Sequence, residues 1–275
     1  MPEWPEVKVV VHQLQRLVGS VTSRSWSNSK YNPGRKLGGI EGLKVKRIRQ
    51  RAKFIEFHLR QGSTRKVVIF HLGMSGKLGI VPLSSPALQG VHCHAWMAFE
   101  HKEALVFVDP RKFGRAMVIE DPSVYRFELY KNIGPEAAAI DFNTFHSRVS
   151  QKPKWTVKKA LLDQSLVSGY GNIYANEILH YAQVHPHSRI ELVPRERWLA
   201  IHGATPRLFD HAFRCGGSSP QSFRGPNGES GTFQNHHRIY GREGKPCNRC
   251  GRPIMKGYLD GRSTFWCQCS TIFDY

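Results

Sequence analysis

Residues 161–177 read LLDQSLVSGYGNIYANE, and this stretch decides what the second half of the chain is. Leu161, Leu162 and Leu166 carry one apolar stripe, and Ile173, Ile178 and Leu179 carry another, both at helical spacing. Between them Gly169 and Gly171 break the pattern within a short turn, so a second helix begins close to Asn172. The first N–H groups of such a helix have no partner within it, and with the Asn172 side chain they suit a phosphate. Helix pairs at tight turns are also built for structure alone, and spacing leaves both readings open.

The charge balance favours the phosphate. Lys and Arg number 40 against 21 Asp and Glu, a formal net charge of +19 in 275 residues. An excess of this size favours a polyanion, and nucleic acid is the commonest inside a cell. The cations are dispersed through the chain, without Lys/Arg blocks and without a basic amphipathic helix suited to a membrane surface. The longest apolar stretches fall well short of a membrane span, and the N-terminus lacks a signal-peptide layout. An intracellular address with no membrane partner is the expectation.

Upstream of the helical half, the runs KVKRIRQ, KFIEFHLR, RKVVIFHLG, AWMAFE and ALVFVDP alternate in character and are rich in Val, Ile and Phe. They predict a sandwich or barrel of antiparallel strands. The pattern changes around NIGPEAAAIDFN, and a helical domain begins near residue 135. At the start, MPEWPEVKVV predicts a helix running to Gly19, with Pro5 and Glu6 suited to its first turn. The Gly/Ser/Pro-rich stretch from Cys215 to Gly231 predicts a loop, either a linker or one that orders over a ligand.

Cys93 and Cys215 stand alone and are expected in cores, whereas Cys247, Cys250, Cys267 and Cys269 crowd the C-terminus. In an intracellular chain that crowding points to metal before disulfide, and four thiolates suit tetrahedral zinc. The second pair is C-x-C, one residue tighter than the usual knuckle, so a metal-free or three-cysteine hairpin is the alternative. Arg262 precedes TFWC, where a hairpin tip can touch phosphate. In the β half, HLGMSG presents Met74, and DPRKFG presents Arg111 and Phe113, each from a Gly turn after an apolar strand. Met74 and Phe113 could be core residues, or apolar wedges of the kind that unstack a base step.

Taken together, MPEWPEV, RAKF at 51–54, HLGMSG, DPRKFG, NIGPE, the 161–177 turn, YGREGKPCNRC and GRSTFWC resemble the formamidopyrimidine-DNA glycosylase family, which includes the endonuclease VIII-like enzymes. The resemblance implies an α+β multidomain fold. Its parts would be a catalytic β-sandwich flanked by helices over 1–134, a helix-two-turn-helix DNA-binding domain over 135–235 with a lesion-capping loop at about 216–231, and a zinc-finger β-hairpin over 236–275. It implies a base-excision-repair glycosylase with AP lyase activity, acting as a monomer on damaged double-stranded DNA in a bacterial nucleoid or a eukaryotic nucleus.

The resemblance also assigns roles. Once Met1 is removed, Pro2 is the nucleophile; Glu3 is the acid/base residue, and Glu6 orients the site. Lys53, Asn172 and Arg262 grip phosphates around the lesion, while Met74, Arg111 and Phe113 fill the void left by the flipped nucleotide. An arginine facing the orphan base favours damage paired with C, and hence oxidised purines; oxidised pyrimidines are the sister branch's substrate. Retention of Met1 would turn the Pro2 nitrogen into an amide and leave a non-catalytic DNA reader. Two residues depart from the family pattern: Trp4 stands where Leu or Gly is usual, and Lys8 where an acid is frequent.

Overall fold

A computed structural model describes residues 2–28, 37–120, 129–219 and 223–274. The chain divides into two units, one formed by Met1–Lys131 with Cys215–Thr232, the other by Asn132–Arg214 with Phe233–Tyr275. Met1 and residues 220–222 of the Gly-rich stretch lie outside the described residues.

The first unit opens with helix α1, Trp4–Leu14. Glu3 is its N-cap, and a capping box closes the first turn: the Glu6 carboxylate accepts from the Glu3 N–H at 2.9 Å, and the Glu3 side chain accepts in return from Glu6. Val7, Val10, Val11 and Leu14 form the face turned into the core. The helix is shorter than the sequence predicts, because a 3₁₀ turn over Gln15–Leu17 tightens its end before Gly19 takes φ +97°. The two unusual residues match one another, with the Lys8 ammonium 4.8 Å from the Trp4 ring centroid.

Among the described residues eight antiparallel strands follow: β1 (Thr22–Ser27), β2 (Lys44–Arg51), β3 (Phe54–Gln61), β4 (Thr64–His71), β5 (Lys77–Pro82), β6 (Cys93–Phe99), β7 (Glu103–Val108) and β8 (Arg115–Ile119). They form two four-stranded sheets ordered β1-β6-β7-β5 and β2-β3-β4-β8. Ile55, Phe57 and Phe70 of one sheet meet Met97, Leu105 and Phe107 of the other in a single core with α1, which makes the sandwich. Strand β4 reads as a continuous apolar run because both faces are covered: Val68 and Phe70 face that core, and Val67 and Ile69 pack with Met117 on the other side. In β2 the buried residues Val45 and Ile48 are three apart, a spacing that strict alternation forbids. A bulge between Val45 and Arg47 restores the inward phase.

The second unit holds helices α2 (Phe142–Val149), α3 (Val157–Leu162), α4 (Asn172–Tyr181) and α5 (Arg195–Arg214), then the hairpin of β9 (Met255–Leu259) and β10 (Arg262–Trp266). Asp141 and Thr156 cap α2 and α3 by accepting from the N–H groups of Thr144 and Lys159. The Gly turn between α3 and α4 is held by Gln164, which donates to the Leu162 and Tyr170 carbonyls and accepts from Gly169 N–H at 3.0 Å. NIGPE lies flush on this turn. A methyl group at Gly134 would sit 2.6 Å from the Leu166 carbonyl oxygen, and Ser168 donates to the Gly134 carbonyl at 2.9 Å. Asp260 and Gly261, both at positive φ, form the hairpin tip. No described helix is long and apolar enough to cross a membrane. Cys93 is buried as expected, but Cys215 is only half-buried, since it follows the end of α5 on the chain's way into a Gly-rich loop.

Candidate active site and nucleic-acid interface

In the first unit the N-terminus of α1 gathers three of the motif residues. Pro2, Glu3 and Glu6 are all buried. Glu6 does more than cap the helix: its second carboxylate oxygen accepts from the Ser218 N–H at 2.8 Å, so it ties the Gly-rich loop to the first turn of α1. Gly217 lies against the Glu6 side chain at φ +82° and leaves no room for a Cβ to be added without a shift. The motif gives no sign of this second duty, because the partner is 212 residues away.

Lys53 sits in the tight β2–β3 turn, where Ala52 takes φ +51°, and is only 7 % exposed. Gln50 joins this turn to α1 by donating to the Trp4 and Ala52 carbonyls, both at 2.9 Å. Pairing then carries the edge onward from Phe54 to His71 and from His71 to Arg115. Burial, helped by the charges of Lys53 and Arg115, pushes the His71 imidazole down to about 4. Its Nδ1 accepts from the Gly73 N–H at 3.3 Å, as a neutral ring can. Sequence reasoning passed over His71, although it opens HLGMSG.

Met74 and Phe113 are 43 % and 56 % exposed, which removes the core reading for both. Arg111 is exposed beside them, its guanidinium 5.2 Å from the Phe113 ring centroid. The loops that carry them touch backbone to backbone: a methyl group at Gly73 would lie 2.5 Å from the Phe113 carbonyl carbon. Three side chains able to enter a base stack therefore stand on one joined pair of loops.

In the second unit Asn172 begins α4 and donates to the Ser263 carbonyl at 3.0 Å, which brings it beside the residue that follows Arg262. Arg262 is exposed at the start of β10, and the hairpin behind it is pinned by buried groups. Asn176 accepts from the Phe265 N–H at 2.8 Å. Lys158, fully buried, donates to the Ser263 carbonyl at 2.9 Å and to the Thr264 hydroxyl at 2.7 Å. Glu177 accepts from the N–H groups of Arg238, Ile239 and Tyr240, fixing the segment that leads to the cysteines; burial pushes its carboxyl up against those three donors. Lys158 and Glu177 were missed, because a buried charge reads in sequence like any solvated one.

The sulfurs of Cys247, Cys250, Cys267 and Cys269 all lie within 4.8 Å of one another. Cys250 and Cys267 are 3.2 Å apart and Cys247 and Cys269 3.9 Å, too far for disulfides and close to the edges of a thiolate tetrahedron. Burial disfavours the Cys247 thiolate, yet the backbone N–H groups of Arg249 and Cys250 together with the Cys267 and Cys269 thiols bring it down to about 7. Burial and the neighbouring sulfurs push Cys269 the other way. The tight C-x-C pair thus still delivers both sulfurs, and the cluster can hold a metal ion.

A β-sandwich led by a buried N-terminal helix, with a helix-two-turn-helix unit and a four-cysteine hairpin, defines the class of protein. The sequence profile of the formamidopyrimidine-DNA glycosylase N-terminal domain matches residues 1–116, and that of the corresponding helix-two-turn-helix domain matches residues 133–224. The formamidopyrimidine-DNA glycosylase of Streptococcus pneumoniae serotype 4 is 34 % identical over 274 residues, covering 97 % of both chains. The crystal structure of the MutM (Fpg) protein of Thermus thermophilus superposes with a TM-score of 0.85 at 32 % identity, covering 98 % of each chain. The Lactococcus lactis Fpg mutant G226P, in complex with Fapy-dG-containing DNA, gives 0.87 at 30 % identity over 98 % of this chain and 99 % of that one. The chain belongs to the formamidopyrimidine-DNA glycosylase family.

Proposed function

We propose that this chain excises oxidised purines from duplex DNA and cleaves the strand at the site it creates, with Pro2 as nucleophile. The observation that carries the assignment is the capping box, which buries Pro2 and Glu3 at the positive end of α1. There the helix dipole disfavours a protonated amine, which with Met1 removed raises the share of Pro2 nitrogen that carries a free lone pair.

The lone pair bonds to the sugar C1′ and the damaged base departs with its bonding electrons, taking up the proton that the proline nitrogen sheds; Glu3 delivers a proton to the ring oxygen as the C1′–O4′ bond breaks, which leaves a C1′=N iminium. The resulting iminium acidifies C2′. Loss of a proton there expels the 3′ phosphate, and a second elimination expels the 5′ phosphate. Glu6 holds Glu3 and the Gly-rich loop in register. Lys53, Asn172 and Arg262 bind backbone phosphates. Arg111 pairs with the orphan base, and Met74 and Phe113 fill the stack. Cytosine offers acceptors to a guanidinium, which supports 8-oxoguanine and formamidopyrimidines as substrates.

Cys247, Cys250, Cys267 and Cys269 would hold a structural zinc ion, which supplies the cross-link that so short a hairpin lacks. The test of the whole reading is borohydride trapping. Protein shown to begin at Pro2 is expected to cross-link to a duplex carrying 8-oxoguanine opposite C, and Pro2→Gly is expected to abolish the adduct.

A further inference from the structure

Asp109, the residue after β7, has no exposed surface and does not point toward solvent or a groove. Its Oδ1 accepts from the Ser75 hydroxyl at 2.5 Å and from the Arg111 N–H at 3.3 Å; its Oδ2 accepts from the Gly114 N–H at 2.7 Å. Its carbonyl accepts from the Lys112 N–H at 3.3 Å and from the buried His94 Nε2 at 2.9 Å. The loop over residues 110–114 is thus wound around one acid: Pro110 has no N–H to give, and those of Arg111, Lys112 and Gly114 all turn inward to it.

The same acid reaches the other loop. Ser75 follows Met74, and its hydroxyl also accepts from the Arg111 N–H at 3.3 Å. Gly114 has no space for a Cβ, which would lie 2.7 Å from the His71 carbonyl oxygen and 3.1 Å from Asp109 Oδ2. The two loops, already in backbone contact, are joined by hydrogen bonds to one buried carboxylate.

We propose that Asp109 is a positioning residue for reading the base opposite the lesion, acting through Ser75 and the Arg111 backbone to hold Met74, Arg111 and Phe113 in one fixed arrangement. The inference rests on the assignment of those three side chains to the void. Binding of the phosphates and attack at C1′ do not pass through the clamp, so its loss should blur discrimination and spare the covalent step.

The test uses full-length protein beginning at Pro2, with duplexes carrying 8-oxoguanine opposite C or opposite A, and a third carrying a preformed abasic site. In Asp109→Asn, an amide N–H must face either the Gly114 N–H or the Ser75 hydroxyl and Arg111 N–H, so the clamp opens at nearly constant volume. The preference for C over A is expected to fall about tenfold in Asp109→Asn, and less steeply in Ser75→Ala, while trapping on the abasic duplex stays within about twofold of wild type. Ser75→Thr keeps the hydroxyl and should restore the preference. Should Asp109→Asn fail to fold, the Ser75→Ala and Ser75→Thr pair decides alone. Arg111→Ala separates the two levels. If it loses the preference while the clamp variants retain theirs, Asp109 has no such role; if Arg111→Ala itself retains the preference, the void assignment fails and the proposal with it.

Discussion

Glu3 and Glu6 show how much two carboxylates can do within one helical turn. Each accepts from the other's backbone, and Glu6 also accepts from Ser218, so the acid proposed for proton transfer is oriented by the fold before DNA arrives. Glu3→Gln keeps the hydrogen bond and removes the proton shuttle. It is expected to slow base excision in single-turnover assays by about 10²–10⁴-fold while DNA affinity holds. His71 gives a pH signature. Its folded value near 4 lies below the ordinary 6.5, so the unfolded chain binds the extra proton between those values. The associated stability is complete above about pH 6.5 and is lost as pH falls toward 4, at no more than about 1.4 kcal/mol per pH unit. His71→Gln should flatten that part of the urea-denaturation profile. An imidazole titrating near 6.5 by NMR in the free protein would contradict the assignment.

Elements were legible where their period was clean. Strands β2, β3, β4, β6 and β7 and the pair of stripes around Gly169 could be read from Val/Ile/Phe-rich runs and helical spacing, whereas β1, β5 and β8 were not named. The bulge in β2 and the both-faced burial of β4 required knowledge of what each strand lies against. Helix α5 escaped notice because Gly203 and Pro206 interrupt it, yet it continues through both. In the site, motif residues could be named, but their supports could not: Lys158, Glu177 and Asp109 act through partners distant in sequence or through backbone groups. Lys158→Met removes the donor to Ser263 and Thr264 and should destabilise the hairpin by about 1–3 kcal/mol, seen as faster amide exchange in β9 and β10 with β3 and β4 unchanged. With zinc in the cluster as proposed, a chelator or Cys267→Ser is expected to give the same pattern more strongly, to weaken DNA binding and to lower the metal content of the chain.

For the molecule as a whole, the excess of positive charge sets the medium-range behaviour. A formal +19 implies strong nonspecific attraction to DNA and rapid encounter. Titrations over a range of salt should give log K falling against log salt with a slope of about −5 if about six phosphates are neutralised. Arg262→Ala should reduce the magnitude of that slope by about one without altering lesion preference, whereas Arg111→Ala should alter preference more than slope. Charge and the order of motifs were both plain in the sequence. The composition of the units was not, because the segment Cys215–Thr232 belongs with the sandwich through contacts such as Glu6 to Ser218 that chain order hides.

In the proposed mechanism a processed N-terminal proline performs the chemistry. It is tested most directly by borohydride trapping on 8-oxoguanine opposite C, using protein whose first residue is shown by mass spectrometry to be Pro2, alongside the same protein with Met1 retained. A covalent adduct that maps to Pro2 and is absent when Met1 remains is the predicted result. An adduct of equal yield with Met1 in place, or none with Pro2 free, would contradict it.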